Sequence, residues 1–348
     1  MQALFSFVPP AQSGQSGLSL TRLAGFLREV IMHISSGRWL YGLFLALSTS
    51  LLWGVLPIQL KEVLQVMDPV TVTWYRLALA GSLLLAYLAA ARRLPSFAAL
   101  GRRGWGLLVL AVVGLTANYV LYLMGLELLS SGTTQLVIQV APILLLLGSV
   151  FIFRERFSLG QGVGLLLMLL GFAFFFNQRL GELLTSLSNY TVGVLTVLAA
   201  AFVWTFYGLA QKQLLVVWNS VQVMMVIYLA CALLLTPWAQ PLQVLRLNPL
   251  QGWLLLACCL NTLVAYGAFA EALAHWEASR VSATLALTPL VTFVSVALAA
   301  SWWPEYVQPE QVNAIAYAGA VIVVLGSALT ALGPSLLEAW RQKRARVC

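Results

Sequence analysis

Residues 105–126 read WGLLVLAVVGLTANYVLYLMGL, twenty-two residues without a charge, set between Arg102-Arg103 and Glu127. At 1.5 Å per residue, about 20 apolar residues cover the ~30 Å of bilayer hydrocarbon. The run lacks the regular apolar and polar alternation of a barrel strand. Hydrocarbon gives backbone N–H and C=O groups no partner, so a helix, which bonds them internally, is the structure this stretch predicts.

Comparable runs recur along the chain. Spans are expected at 39–60, 70–91, 105–126, 132–153, 158–177, 190–211, 220–239, 250–272, 280–302 and 311–332. Of the 348 residues, 61% are apolar and 9% charged, with a mean hydropathy of +0.91, whereas soluble domains carry about 25% charge. The fold class is therefore all-α integral membrane, with ten transmembrane helices. Three of the four cysteines (Cys231, Cys258, Cys259) lie inside apolar runs, and no disulfide framework or metal-ligand spacing is visible.

The net charge of +8 does not point to nucleic acid, because the basic residues sit in short segments between spans. Alternate segments collect Arg22, Arg28, Arg38, Arg92, Arg93, Arg102, Arg103, Arg154, Arg156, Lys212, Arg280, Arg341, Lys343, Arg344 and Arg346 on one side. The other side collects Lys61, Arg179 and Arg246. Fifteen against three is a positive-inside pattern, so both termini are expected in the cytoplasm of a bacterial inner-membrane protein. Residues 1–38 read as a cytoplasmic segment, either an interfacial amphipathic helix or sequence upstream of a start at Met32. Residues 334–348 read as a basic cytoplasmic tail.

The two halves, 39–178 and 190–333, match at fixed offsets. Trp53, Lys61 and Asp68 recur 151 residues later as Trp204, Lys212 and Asn219, and Tyr119 and Pro142 recur 147 later as Tyr266 and Pro289. Gly164 and Gly171 are spaced as Gly319 and Gly326, seven apart. Five spans per half is an odd number, so the second half enters the membrane from the opposite side and the repeats are inverted. That construction lets two copies exchange conformations around one central site, as in secondary transporters.

Leu51-Leu52-Trp53-Gly54, the approach from Asp68-Pro69 to Arg76, the fourth-span proline followed by Glu155, and the fifth-span glycine pair resemble the EamA-type drug/metabolite transporters over residues 39–333. The resemblance implies export of metabolites or amino acids without a bound cofactor. The second half departs from the pattern, with Ile227 in place of the arginine and Glu305, after Trp302-Trp303-Pro304, beyond the strict offset.

No Walker A motif is present, so hydrolysis of ATP by a P-loop is not expected. The two histidines, His33 and His275, have no serine or aspartate arranged with them as a triad, and an enzyme is not supported. Ionisable residues inside spans cost about 2.5–3.5 kcal/mol on insertion scales, which makes Arg76 and Glu271 stand out. Arg76 suits a substrate carboxylate, or else it snorkels or pairs with Asp68. Glu271 suits an amine or a coupling proton, or else it caps a helix end beside Arg280.

Asn118 and Tyr122, and Gln135 and Gln139, are each four apart and share a helix face. With Trp53, Tyr119, Trp204, Tyr207, Asn261 and Tyr266 they are expected to line a cavity, against the plainer reading of interhelical hydrogen bonds and interface anchors. Pro57, Pro142 and Pro289 offer hinges. Lys61, Lys212, Glu155 and Glu305 read as gates or as markers of span ends. Gly160, Gly164 and their counterparts read as helix-packing or dimer contacts.

The expected function is a secondary transporter in the lipid bilayer, carrying a small-molecule substrate by alternating access, with export of amino acids first and proton coupling to be tested. No cofactor, metal or nucleic-acid partner is expected, and both monomer and homodimer fit. A lipid or polyprenyl-carrier flippase and a non-transporting membrane subunit are the alternatives.

Overall fold

Asp68 shows how the spans begin. Its Oδ1 accepts from the Val70 and Thr71 N–H groups and its Oδ2 from the Thr71 hydroxyl, closing the orphan donors of a helix that starts at Pro69. Asn219, its repeat counterpart, does the same at Ser220 with Gln222 completing a capping box. The repeat pair is thus a pair of helix starts. Ser130, Ser158 and Ser188 cap three further helices by the same chemistry.

The computed structural model describes residues 39–141, 143–144, 158–275, 278–310 and 312–345. Met32 and the rest of 1–38, Pro142 and Glu155 lie outside the described residues, as do the side chains of Lys212 and Arg280. Among the described residues every regular element is a helix: α1 (Trp39–Val63), α2 (Pro69–Ala90), α3 (Gly101–Leu128), α4 (Ser131–Val137), α5 (Leu159–Phe175), α6 (Leu180–Thr185), α7 (Asn189–Leu214), α8 (Ser220–Leu235), α9 (Pro249–His275), α10 (Ala278–Leu285), α11 (Thr288–Trp302) and α12 (Ala314–Ala345), with two short 3₁₀ turns.

Among the described residues six stretches are long and apolar enough to cross a membrane: Leu40–Val63, Pro69–Ala90, Gly101–Leu128, Asn189–Gln211, Pro249–Phe269 and Ala283–Trp302. Leu159–Phe175, Ser220–Leu235 and Ala314–Thr330 are shorter apolar helices. The expected fourth span is described only at its start, where α4 ends at Val137. The last helix runs on to Ala345, so the segment expected as a tail from 334 continues α12.

Helices pair α1 with α9, α3 with α7, α2 with α8, α5 with α12 and α4 with α11. Exchanging the halves turns the first pair into the second and returns each of the others to itself. Outward faces carry large apolar side chains such as Phe44, Val109 and Leu233. A soluble protein would not leave such a surface bare.

The α5–α12 contact is made by the glycines. A Cβ on Gly164 would meet the Gly326 carbonyl at 2.7 Å, and one on Gly326 would meet the Gly164 carbonyl at 2.7 Å. Gly171 and Gly319 approach each other equally closely, and Met168 and Val323 fill the space between. Of the two roles expected for these glycines, helix packing within one chain is observed. Gly171→Leu drives a side chain into the Val323 backbone and is expected to destabilise by about 1–3 kcal/mol. A lower melting temperature in detergent checks it, with Gly252→Leu, whose added Cβ meets nothing within 4 Å, as the unchanged control.

Candidate functional site

Two helices break at equivalent places. After α4 the chain turns at Ile138-Gln139, and after α10 it turns at Ala286-Leu287 before Pro289 opens α11. Proline lacks the N–H that would continue the ladder and its ring crowds the preceding turn, so α10 cannot run straight into α11. The freed carbonyl of Ala286 accepts from Gln139 Nε2 at 3.2 Å. These two residues stand 147 apart, the repeat offset itself, so the two breaks meet each other.

Beside this junction lies a cavity of about 280 Å³. Ten of the twelve residues expected at a site line it: Trp53, Arg76, Asn118, Tyr119, Tyr122, Gln135, Gln139, Trp204, Asn261 and Tyr266. Arg76 comes from α2 and is 4% exposed. Its Nε donates to Thr262 Oγ1 at 3.1 Å, and its guanidinium lies 4.7 Å from the Tyr119 ring centroid, a cation–π arrangement. The pairing with Asp68 does not occur, because that carboxylate is occupied at the start of α2.

The predicted amide and phenol pairs do face one another. Tyr122 Oη donates to Gln135 Oε1 at 2.8 Å. Asn118 Nδ2 ties α3 to the Ala200 carbonyl of α7 at 2.9 Å, and Asn261 Nδ2 ties α9 to the Leu52 carbonyl of α1 at 2.7 Å, so each repeat contributes one such clasp. Asn261 Oδ1 is left buried with no partner among the described residues. The Trp53 and Tyr266 rings meet edge to face with centroids 5.1 Å apart, and Phe269 stands 5.7 Å from Trp53.

Two expected site residues lie elsewhere. Tyr207 is 1% exposed, on the α7 face that packs against α3, where Gly114 closes in on it, and its hydroxyl reaches Met224 Sδ of α8 at 3.5 Å. Its aromatic body fills the core where α3, α7 and α8 meet. The Glu271 side chain is 56% exposed and sits 3.0 Å from His275 Nε2, one turn along α9. It lies outside the cavity lining, and the burial expected of it is not found.

The sequence reading missed Thr262, Thr288, Ser327 and Phe269 in the lining. Thr262 directly follows Asn261, and Thr288 directly precedes Pro289, so their neighbours carried the signal. A second cavity, about 500 Å³, lies beyond the α1 C-terminus and includes Lys61, Glu62, Arg179, Tyr190 and Glu310. Lys61 Nζ donates to the Leu126 carbonyl at 2.9 Å and to that of Leu129, closing the end of α3. The acid nearest in role to the expected gate is Glu310, since Glu305 is exposed. Glu310 Oε1 accepts from Gly132 N at 2.6 Å, an approach that a Cβ at Gly132 would obstruct.

Burial pushes the Glu310 carboxyl above its ordinary range, against the opposing pull of Ser130, the Gly132 N–H and Lys61. A carboxyl that holds its proton more tightly folded than unfolded stabilises most below the unfolded value of 4.5, and that contribution falls as pH rises through the folded value. Wild type is therefore expected to lose melting temperature relative to Glu310→Gln as pH climbs from about 4.5 to 7. Parallel melting curves for the two proteins would sink this assignment.

The description "EamA-like transporter family" matches the chain over residues 40–177 and 191–332. A relative in Escherichia coli (strain K12), named "Uncharacterized inner membrane transporter YhbE", is 41% identical over 293 residues, 84% of this chain and 91% of that protein. One in Haemophilus influenzae, named "Uncharacterized transporter", is 39% identical over 298 residues, 86% and 97% of the two chains. A solved crystal structure aligns over 83% of this chain and 96% of its own length with a TM-score of 0.57 at 20% identity, a likeness of fold.

Proposed function

The chain belongs to the EamA-like transporter family, and on that footing we propose that it is an inner-membrane secondary transporter that moves small metabolites through the central cavity by alternating access. The observation that carries the reading is the meeting of two broken helices, Gln139 on Ala286, at the wall of a cavity furnished by both repeats. Broken helices expose backbone groups that lipid would penalise, and transporters keep such breaks where they line a site.

The self-mapping of the helix pairs supports ten spans arranged as two inverted five-helix repeats. In that arrangement the α4–α11 junction lies on the pseudo-two-fold axis, and rocking one repeat against the other opens the same site to either face. The basic residues counted between spans support an orientation with both termini in the cytoplasm. That orientation puts the Lys61–Glu310 cavity on the periplasmic side, as the outer vestibule. The Escherichia coli relative's name agrees with the inner membrane. Amino acids and related metabolites are the substrate class, and export is the direction. Without a Walker A motif, the driving force is a gradient, with the proton as the coupling ion.

Counterflow into proteoliposomes of purified protein, with a panel of labelled amino acids and related metabolites with and without a pH gradient, tests this. Saturable, competed uptake is expected, with the gradient changing its rate. Gln139→Leu cuts the tie between the breaks and is expected to lower uptake about ten-fold or more while the protein stays folded. Folded protein that carries nothing on the panel would remove the reading.

A further inference from the structure

We propose that the central cavity selects organic monoanions, carboxylates with an apolar body, over the zwitterionic, neutral and cationic forms of the same skeleton. The inference rests on the transporter reading and narrows its substrate class, from amino acids and related metabolites to those related metabolites that carry a carboxylate and no ammonium.

Among the described residues that line the cavity, Arg76 is the one charged side chain and none is an acid. Among the described residues, the ion pairs lie elsewhere, at Arg179–Glu182 and Glu271–His275. A guanidinium presents five N–H donors in a planar fork and cannot shed its charge. Nε is spent on Thr262 and one ring face on Tyr119, which holds the fork in place. Its terminal N–H groups reach no protein acceptor in the hydrogen bonds of the described residues. A buried cation held this way has no counter-charge among the described residues, and a carboxylate satisfies it with two parallel hydrogen bonds.

The repeat does not supply a second cation. The position related to Arg76 by the 151 offset is Ile227, fully buried. One positive charge balances one negative charge, so a dianion such as a phosphomonoester would carry an uncompensated charge into the site. A zwitterion would bring an ammonium next to a cavity with a cation and no acid. The remaining walls suit an apolar body, with Trp53, Trp204, Tyr266 and Phe269 around it. At about 280 Å³ the cavity sits at the small end of ligand sites, which run about 300–1,000 Å³. The Nδ2 bond to Leu52 fixes the amide of Asn261, so its unpartnered Oδ1 offers an acceptor for an O–H or N–H substituent on that body.

The test is binding by purified wild-type protein in detergent, read by quenching of tryptophan fluorescence, with four probes sharing one skeleton: 3-phenylpropionate, its amide, 3-phenylpropylamine and phenylalanine. The carboxylate is expected to saturate at a concentration about ten-fold or more below the amide and phenylalanine, with the amine weakest. Arg76→Gln removes that preference and leaves amide binding in place, while Arg76→Lys keeps part of it. If Arg76→Gln fails to fold, Thr262→Val, which withdraws the Nε partner, is expected to narrow the preference. The ranking in wild type needs no variant at all.

Amide, amine or phenylalanine binding as tightly as the carboxylate overturns the proposal, and so does an Arg76→Gln protein that keeps the preference. Carboxylate binding with no counterflow of any solute would overturn the transporter reading and leave the anion site standing. Counterflow of a neutral or cationic solute alone would do the reverse.

Discussion

Lipid cannot hydrogen-bond the backbone, and this structure is arranged around that constraint. At five helix starts a side chain closes the orphan donors, as Asp68, Asn219 and Ser158 do. Lys61 closes acceptors at the end of α3. Among the described residues, the constraint is relaxed at the pair of breaks at Ile138-Gln139 and Ala286-Leu287. Each break there faces the other, and the Gln139 amide answers the Ala286 carbonyl. The polar groups in the cavity wall follow from this: once backbone groups are freed, side chains that can bond them must collect nearby.

The repeat explains which features come in pairs and which do not. Trp53 and Trp204, Tyr119 and Tyr266, and the Asn118 and Asn261 clasps furnish the cavity from both halves. Glycine approach in α5 and α12 is likewise mutual. Arg76 opposite Ile227 and Gln139 opposite Ala286 break the symmetry, and both departures fall at the cavity. Packing is served by symmetric residues because both halves must bury the same faces. Recognition needs an asymmetric set, because a small solute has different groups at its two ends.

Much of this was legible in the chain because polar residues inside apolar spans are costly and therefore few. Asn118, Tyr122, Gln135 and Gln139 declared themselves by spacing, and the glycine pairs by repeat offset. Tyr207 and Glu271 were misplaced for one shared reason: helical phase tells which residues share a face, and not which neighbour that face meets. Tyr207 points at α8 and Glu271 at the open side of α9. Glu310 gave no signal because its partner is a backbone N–H at Gly132, 178 residues away, and a loop acid reads like any solvated charge. The break after α4 falls at Ile138-Gln139, a position that the apolar run and its polar spacing do not mark, since both residues fit a helix face.

Symmetry also bears on energetics. Two identical inverted halves would make the two access states equal in energy, so any bias between them has to come from residues that lack a counterpart. Glu310 on Gly132, beside Lys61, is such a contact at one end of the molecule. Arg76 is another at the centre. Under the proposed alternating access, a central cation with no counter-charge among the described residues would disfavour both states alike until an anion neutralised it. A contact between the Glu310 loop and the start of α4 would instead bias the state in which that end is closed. In that cycle the centre would govern whether the protein moves, and the Glu310 contact where it rests.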